Sequence, residues 1–148
     1  MKCLKLIFCL LYFCCSLAEA KEVQVDAQKE VDEMTRRLVA SYLEAKVDED
    51  IIAGYASALR SDGSFPDLDY VTVHEGSSYP AGSHLKRLKL MAIAYRKPGN
   101  KYYNSGRLLK QIVAGIDYWY RVRPKSGNWW FGDIGAPQDY MVPLILLK

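Results

Sequence analysis

The chain has 148 residues, with 20 Lys and Arg against 17 Asp and Glu, a formal net charge of +3 and aromatic side chains at 12% of its positions. The length fits at most one domain. The near balance of charge excludes disorder caused by charge repulsion and excludes a strong nucleic-acid footprint, so we expect no nucleic-acid partner.

The first twenty residues have the pattern of a secretory signal peptide. Lys2 and Lys5 precede an apolar run from Leu6 to Leu17, and Ala18-Glu19-Ala20 provides a small-residue cleavage site. This run is too short to cross a bilayer as a helix. All four cysteines fall in the same segment, so residues 21–148 have none. We therefore expect a secreted protein, periplasmic or extracellular, that folds without disulfides and has no membrane association after cleavage.

Residues 21–148 predict an all-α domain, because apolar residues recur at helical spacing in five segments. The predicted helices are Val23–Lys46, a segment from Asp48 that ends before Ser61-Asp62-Gly63, a segment from Ser83 (as cap) to Pro98-Gly99, Asn104–Tyr120, and a last helix from about Ile134. Between the second and third helices, Phe65–Val73 alternates loosely and predicts extended chain. A long irregular loop follows it, and such loops are usually functional or mobile.

The end of the last predicted helix is strongly apolar. Val142 to Leu147 needs a neighbour. We expect either that it docks on the earlier helices or that its natural partner lies in sequence absent here.

The segment Asn128–Pro137 places three large aromatic residues where a loop is predicted to become a helix. Asp133 is the predicted cap of that helix, and Pro137 fits its first turn. Trp129 and Trp130 are adjacent, so no regular element buries both on one face, and we expect at least one to be exposed or to line a cleft. An exposed indole suits stacking on a sugar ring. The alternative, which composition alone favours slightly, is that both pack in the core or a hinge.

Three cations precede this segment: Arg121, Arg123 and Lys125. Beside exposed aromatic rings they are suited to hold an acidic chain. The alternative is that they only complement the dipole at a helix C-terminus.

Motifs for other chemistry are missing from the sequence. There is no Gly-rich phosphate loop, no His-Glu-x-x-His and no paired-Cys metal site, so we predict neither a cofactor nor a metal. Asp67 and Asp69 are expected to be solvated turn carboxylates. His84 opens a helix and is expected to be structural, either uncharged or hydrogen-bonded. His74, beside Glu75, is a general-base candidate without support from a partner residue.

Several segments together resemble the N-terminal helical domain of polysaccharide lyase family 8, the chondroitin AC, hyaluronan and xanthan lyases. The resemblance covers nearly all of residues 21–148. The matching segments are Ser61–Phe65 with Asp67–Tyr70, His84-Leu85 with Arg87-Leu88, Tyr118-Trp119, Asn128-Trp129-Trp130, and Ile134-Gly135 with Pro137. Departures are Phe65 and Tyr79, where the family often has Trp, and Phe131-Gly132-Asp133 before the Ile-Gly pair.

The resemblance implies the first helical hairpins of an incomplete α/α toroid, truncated before the β-sandwich domains of the family. It implies an acidic polysaccharide partner of the chondroitin, hyaluronan or xanthan type, which such enzymes cleave by β-elimination. Asn128, Trp129 and Trp130 match the family's aromatic patch, and we add Arg123 as a substrate-binding residue. The family's catalytic Tyr, His, Arg and Asn would lie beyond residue 148, so we predict no catalytic residue here and no turnover by this chain alone. A missing downstream lyase segment is the expected partner.

Two other functions stay open at this point. The first is a stand-alone carbohydrate-binding helical module that uses Trp129, Trp130 and the neighbouring cations. The second is a helical fragment that binds nothing.

Overall fold

The computed structural model describes residues 27–148, in which every regular element is helical. The predicted signal peptide, residues 1–20, lies outside the described residues. Among those described, no helix is both long and apolar enough to span a membrane. The chain divides after Ala40 into two units, and we describe each by itself. The prediction of an all-α fold is confirmed.

Helix α1 covers residues 27–43 and is followed by a turn, so the predicted helix reaches too far at its C-terminal end. Its predicted start at Val23 lies outside the described residues. In the first unit, Glu33 receives hydrogen bonds from Arg36 and Arg37, each at 2.7 Å. These bonds lower the pKa of the Glu33 carboxyl to about 2. These ion pairs lie on an exposed face of α1 and join residues of that helix only.

Helix α2 is Glu49–Ala58, and it begins where the sequence predicts. The Asp48 side chain caps it by accepting hydrogen bonds from the backbone N–H groups of Asp50 and Ile51 at 3.1 Å. The cap satisfies donors that have no partner within the helix.

The connection from α2 to α3 contains no strand, so the prediction of extended chain over Phe65–Val73 is wrong. Side chains replace ladder hydrogen bonds there. The Tyr70 hydroxyl accepts from the Phe65 N–H at 3.0 Å, and Asp69 accepts from Val71 and Thr72. The segment therefore folds back on itself as successive turns, a local competition that Asp residues promote.

Helix α3, Ser83–Arg96, is the central element of the second unit and packs against α2, α4 and α5. A 3₁₀ turn at Pro80–Gly82 leads directly into it. Because the backbone is already helical at Gly82, Ser83 is not a cap, and this prediction is wrong. The buried residues of α3 are His84, Leu85, Leu88, Met91, Ala92, Ile93 and Ala94.

Helix α4, Gly106–Val122, begins two residues later and ends two residues later than predicted. Ser105 caps it by accepting from the Leu108 N–H at 3.3 Å. At the other end Arg123 takes a left-handed conformation, with φ of 46°, and breaks the helix.

The last helical segment differs most from its prediction. Residues 129–130 are already helical, Phe131–Gly135 forms one turn of π-helix, and helix α5 continues over Ala136–Leu147. Asp133 therefore lies inside helical backbone and caps nothing. The Asn128 side chain does the capping instead, because its Oδ1 accepts from the Trp130 N–H at 2.9 Å.

The apolar end of α5 docks on α3, one of the two arrangements expected from the sequence. Val142, Pro143 and Leu146 are buried, while Met141 and Leu144 stay about half exposed. Nearby, Ala81, Leu85 and Trp119 form a core cluster with Tyr70, Tyr79, Ala136 and Tyr140 packed against it. This cluster supports the start of α5, where the predicted site lies.

Candidate functional site

The Ser61–Phe65 segment is structural and fixes the approach of the α2–α3 connection to α4. Gly63 has φ of +91°, and a Cβ there would lie 2.0 Å from the Ala114 carbonyl oxygen. Only glycine tolerates both conditions. The Asp62 carboxylate accepts from the N–H and the hydroxyl of Ser64, which lowers the pKa of Asp62. The motif thus holds a turn against a helix.

His84 is the buried centre of a hydrogen-bonded chain. Its Nε2 lies 2.9 Å from the Gly115 carbonyl oxygen, which only accepts, so Nε2 carries the proton. Nδ1 is then an acceptor and takes the proton of the Tyr70 hydroxyl, also at 2.9 Å. Burial lowers the pKa of His84 to about 4. The prediction of a hydrogen-bonded structural role is confirmed.

Several charged side chains between positions 67 and 87 are paired with each other or with backbone. Asp67 forms a two-pronged ion pair with Arg87, whose guanidinium also covers the Phe65 ring at 4.7 Å. Asp67 is therefore an ion-pair partner rather than only a solvated turn carboxylate. His74 Nε2 lies 3.8 Å from the Asp69 carboxylate. Within residues 27–148, no group of three potential ligands is close enough to hold a metal.

Two loops meet at the entrance to the aromatic segment. Gly127 donates its N–H to the His74 carbonyl at 3.0 Å, and the Asn128 amide donates to the Gly76 carbonyl at 2.8 Å. A Cβ on Gly127 would lie 2.4 Å from the Glu75 carboxylate, so a larger residue there would have to displace the Glu75 side chain. Asn128 therefore links the long loop to the first residues of the helical segment, immediately before the two indoles.

The two neighbouring indoles are both solvent-exposed. Trp129 is 67% exposed and Trp130 is 44% exposed, so the alternative of core packing is wrong for this pair. Trp130 lies edge-on to Phe131 at 5.3 Å and also packs on Gly135, where a Cβ would come within 2.8 Å of the indole. The π-turn therefore positions Trp130 by bringing a glycine five residues later beneath its ring.

Arg123 lines a cleft of about 350 Å³, which we call the Arg123 cleft. Its guanidinium lies 4.7 Å from the Tyr120 ring centroid, and its Nε donates to the Tyr120 carbonyl at 3.2 Å. Trp119 and Tyr140 contribute further aromatic walls. A planar cation held on an aromatic face beside an open cleft suits a carboxylate or sulfate group.

A second cleft of about 160 Å³, the Trp130 cleft, shares Tyr79 and Ala136 with the first. Trp130, Phe131 and Lys86 line it as well. Tyr79 stacks on Phe131 with centroids 5.5 Å apart, and its hydroxyl donates to the Pro124 carbonyl at 3.0 Å.

The structure brings together only part of the predicted set. Trp130 and Arg123 line neighbouring clefts, whereas Trp129 and Asn128 line neither of the two. Sequence reasoning missed Tyr79, Phe131 and Lys86 as wall residues. Phe131 stood out as the third aromatic of the Asn128–Pro137 segment, and Tyr79 only as a departure from the family pattern. Nothing local marks Lys86, since it reads as an ordinary exposed position of a helix.

Known proteins resemble the chain over most of residues 21–148. The family model described as polysaccharide lyase family 8, N terminal alpha-helical domain, matches residues 21–148. Chondroitinase-AC of Pedobacter heparinus is 34% identical over 92 residues, which are 62% of this chain and 13% of that protein. Hyaluronate lyase HylB of Enterococcus faecalis is 28% identical over 91 residues, or 56% of this chain and 9% of that protein.

A solved structure of chondroitinase AC lyase, studied as enzyme–oligosaccharide complexes, superposes with a TM-score of 0.70 at 28% identity. The superposition covers 77% of this chain and 17% of that one. The chain thus spans less than a fifth of the length of the relatives it matches. Its helices are the hairpins of an incomplete α/α toroid, as predicted, and the chain belongs to polysaccharide lyase family 8 through its N-terminal α-helical domain.

Proposed function

We propose that the chain is the N-terminal helical portion of a secreted carbon–oxygen lyase for acidic polysaccharides, and that it supplies part of the polysaccharide-binding surface. The observation that carries this proposal is the pair of adjacent, solvent-exposed indoles, of which Trp130 lines a cleft that adjoins the Arg123 cleft. The names of the relatives, a chondroitinase and a hyaluronate lyase, support an acidic polysaccharide as the partner.

The chemistry of the surface fits such a polymer. An indole is a rigid apolar plate that stacks on the C–H face of a sugar ring, and Trp loses little conformational entropy on binding. The Arg123 guanidinium offers planar donors to a carboxylate, while the Tyr120 ring limits its motion. Stacking then orients the sugar rings and Arg123 selects for charge.

Asn128 contributes to this surface mainly by position. One N–H of its side-chain amide donates to the Gly76 carbonyl, and the amide oxygen accepts from the Trp130 N–H. The second side-chain N–H is then available to donate to a sugar hydroxyl. We assign Asn128 both roles, with anchoring of Trp130 as the larger one.

The described residues favour binding without proton transfer. β-Elimination needs an accessible base, and in the one Tyr–His hydrogen bond of this region His84 is fully buried while Tyr70 is partly buried. Burial raises the pKa of Tyr70 to about 12, which makes it a poor source of tyrosinate at neutral pH. We propose that this chain alone has no lyase turnover.

Titration with chondroitin sulfate and hyaluronan hexasaccharides, followed by Trp fluorescence and calorimetry, tests the binding surface. Trp130→Ala and Trp129→Ala are each expected to weaken binding roughly ten-fold, because a lost aromatic stacking contact costs about 1–1.5 kcal/mol. Tyr103→Ala is the matched control, since Tyr103 is 45% exposed and lies outside both clefts and outside the aromatic segment Asn128–Pro137. Equal losses in all three variants, or no binding by the wild type, would contradict the proposal.

Turnover is tested separately by incubating the chain with chondroitin, hyaluronan and xanthan. β-Elimination creates an unsaturated uronate that absorbs in the ultraviolet. We expect no rise in absorbance, and a rise that scales with protein concentration would refute binding without turnover.

Secretion is proposed on the pattern of residues 1–20. Expression of the full chain in a secreting host, followed by N-terminal sequencing of the exported product, is expected to give Lys21 as the first residue. Retention of the intact N-terminus inside the cell would contradict it.

A stand-alone carbohydrate-binding module is the second candidate. It is favoured by the docking of Val142, Pro143 and Leu146 in the core, which gives α5 a cover within the described residues. Reading the genomic sequence after Lys148 separates the two functions, because an open frame that continues into further helical hairpins supports the lyase.

A further inference from the structure

The Trp130 cleft is lined by a cationic side chain, Lys86, to which the proposed function assigns no role. Lys86 lies on α3, is exposed, and lines this cleft together with Trp130 and Gln138. Among residues 27–148, no carboxylate lies within ion-pair distance of its ammonium group. Trp130 and Lys86 thus line one cavity, a combination of flat ring and cationic side chain like that of the Arg123 cleft.

The single carboxylate that lines the Trp130 cleft, Asp139, already has a positively charged neighbour. Asp139 lies 3.6 Å from the ammonium of Lys89, and both side chains are 29% exposed. Its charge is partly neutralised by this neighbour, so Lys86 is the unbalanced charge of the cleft. An anion entering beside Trp130 meets net attraction.

The two clefts adjoin through Tyr79 and Ala136, and each has its own cation. An acidic polysaccharide carries its anionic groups at intervals along the chain, with less charged sugars between them. A surface with two separated cations and stacking rings matches such a polymer better than one cation does. Binding energy then depends on the spacing of the anions as well as on their number.

We propose that the Trp130 cleft is a second anion subsite, in which Lys86 pairs with the carboxylate or sulfate of an acidic sugar whose ring contacts the Trp130 indole. This subsite deepens the proposed function and rests on it. Lys86 acts there as a specificity-determining residue that favours anionic over neutral sugars.

The test compares Lys86→Gln with Lys110→Gln in the full chain. Both lysines are exposed on helices, both substitutions remove one positive charge, and Lys110 lines neither cleft. Calorimetry uses a chondroitin sulfate hexasaccharide and the same hexasaccharide after desulfation and carboxyl reduction. We expect Lys86→Gln to weaken binding of the anionic probe roughly three- to five-fold at low salt, with a shallower salt dependence, and to leave the neutral probe unchanged.

Asp139→Asn provides a change in the opposite direction. Removal of the carboxylate from the cleft is expected to tighten binding of the anionic probe roughly two-fold, with the neutral probe unchanged. Circular dichroism verifies that each variant keeps its helicity.

The outcomes separate this subsite from the proposed function. Weaker anionic binding for Lys86→Gln alone supports the subsite. Equal weakening by Lys86→Gln and Lys110→Gln indicates a general charge effect and overturns it. If Trp130→Ala weakens binding while Lys86→Gln has no effect, the subsite is wrong and the proposed function stands. Failure of the wild type to bind either probe overturns both.

Discussion

The buried ring of His84 is expected to make the stability of the fold depend on pH. The ring is fully enclosed, with Nε2 donating to the Gly115 carbonyl and Nδ1 accepting from the Tyr70 hydroxyl. Protonation at Nδ1 would force the Tyr70 hydroxyl to turn from donor to acceptor and would put a charge in the core. Arg87 nearby also opposes the protonated form.

The size of the effect follows from the two pKa values of His84. Burial lowers the pKa from 6.5 to about 4 in the folded chain. One pKa unit corresponds to about 1.4 kcal/mol, so the difference corresponds to about 3 kcal/mol of unfolding free energy. Between these values the unfolded chain binds a proton that the folded chain does not, so stability is full above pH 6.5 and falls as the pH drops towards 4. For a domain with 5–15 kcal/mol in total, this loss is large.

Urea unfolding monitored by circular dichroism at pH 7.5, 6.5, 5.5 and 4.5 measures the loss. His84→Gln is the informative variant, because its amide keeps a donor for the Gly115 carbonyl but does not titrate. It is expected to be less stable at pH 7.5 and to lose little further stability down to pH 4.5. His74→Gln, at the other histidine, is the matched control for the loss of a histidine ring.

Two results would refute this reasoning. One is parallel pH dependence of wild type and His84→Gln. The other needs no variant and is therefore independent of its folding: an NMR titration in which the His84 ring resonances shift between pH 8 and 6. The pKa of the exposed Asp69 carboxyl is lowered to about 2, so protonation of Asp69 destabilises the fold only at a pH below the range of this experiment.

Two glycines provide the remaining predictions. Gly63→Ala is expected to lower the free energy of unfolding in urea by roughly 2–4 kcal/mol, because the new Cβ strains a positive φ and clashes with the backbone of α4. Gly54→Ala is the control: a Cβ there has nothing within 4 Å and should raise the free energy of unfolding by about 0.5–1 kcal/mol. Similar effects at both sites would contradict the close approach. Gly135→Ala is expected to displace the Trp130 indole, shift Trp emission and weaken oligosaccharide binding, and Gly132→Ala should not displace it. Unchanged binding by Gly135→Ala would show that the contact does not position the ring.

Most of the helical framework follows from local sequence signals. The Asp48 cap, the apolar spacing of α4 and the turn residues ending in Gly63 after α2 each act within a few residues, so they identify the elements without tertiary information. The same locality explains the errors at the boundaries. Ser83 looks like a cap until the 3₁₀ turn before it is known, and Asn104 looks like a helix start although Ser105 performs that role.

The candidate site was predictable in part. Adjacent tryptophans cannot share one buried face, so exposure of at least one followed from the sequence, and both prove to be exposed. The wall residues Tyr79 and Lys86 lie more than forty positions before Trp130, and their meeting depends on how α3 packs against α5. No local pattern contains that information.

The sequence by itself determined the helical class, the family resemblance and the presence of an indole pair with neighbouring cations, because these depend on residue type and spacing along the chain. Only the tertiary structure decided that Asn128 ties the long loop to the start of the last helical segment, and that His84, hydrogen-bonded to Tyr70, is fully buried. The physical reason is that these features are contacts between distant segments, and such contacts exist only after the helices have packed.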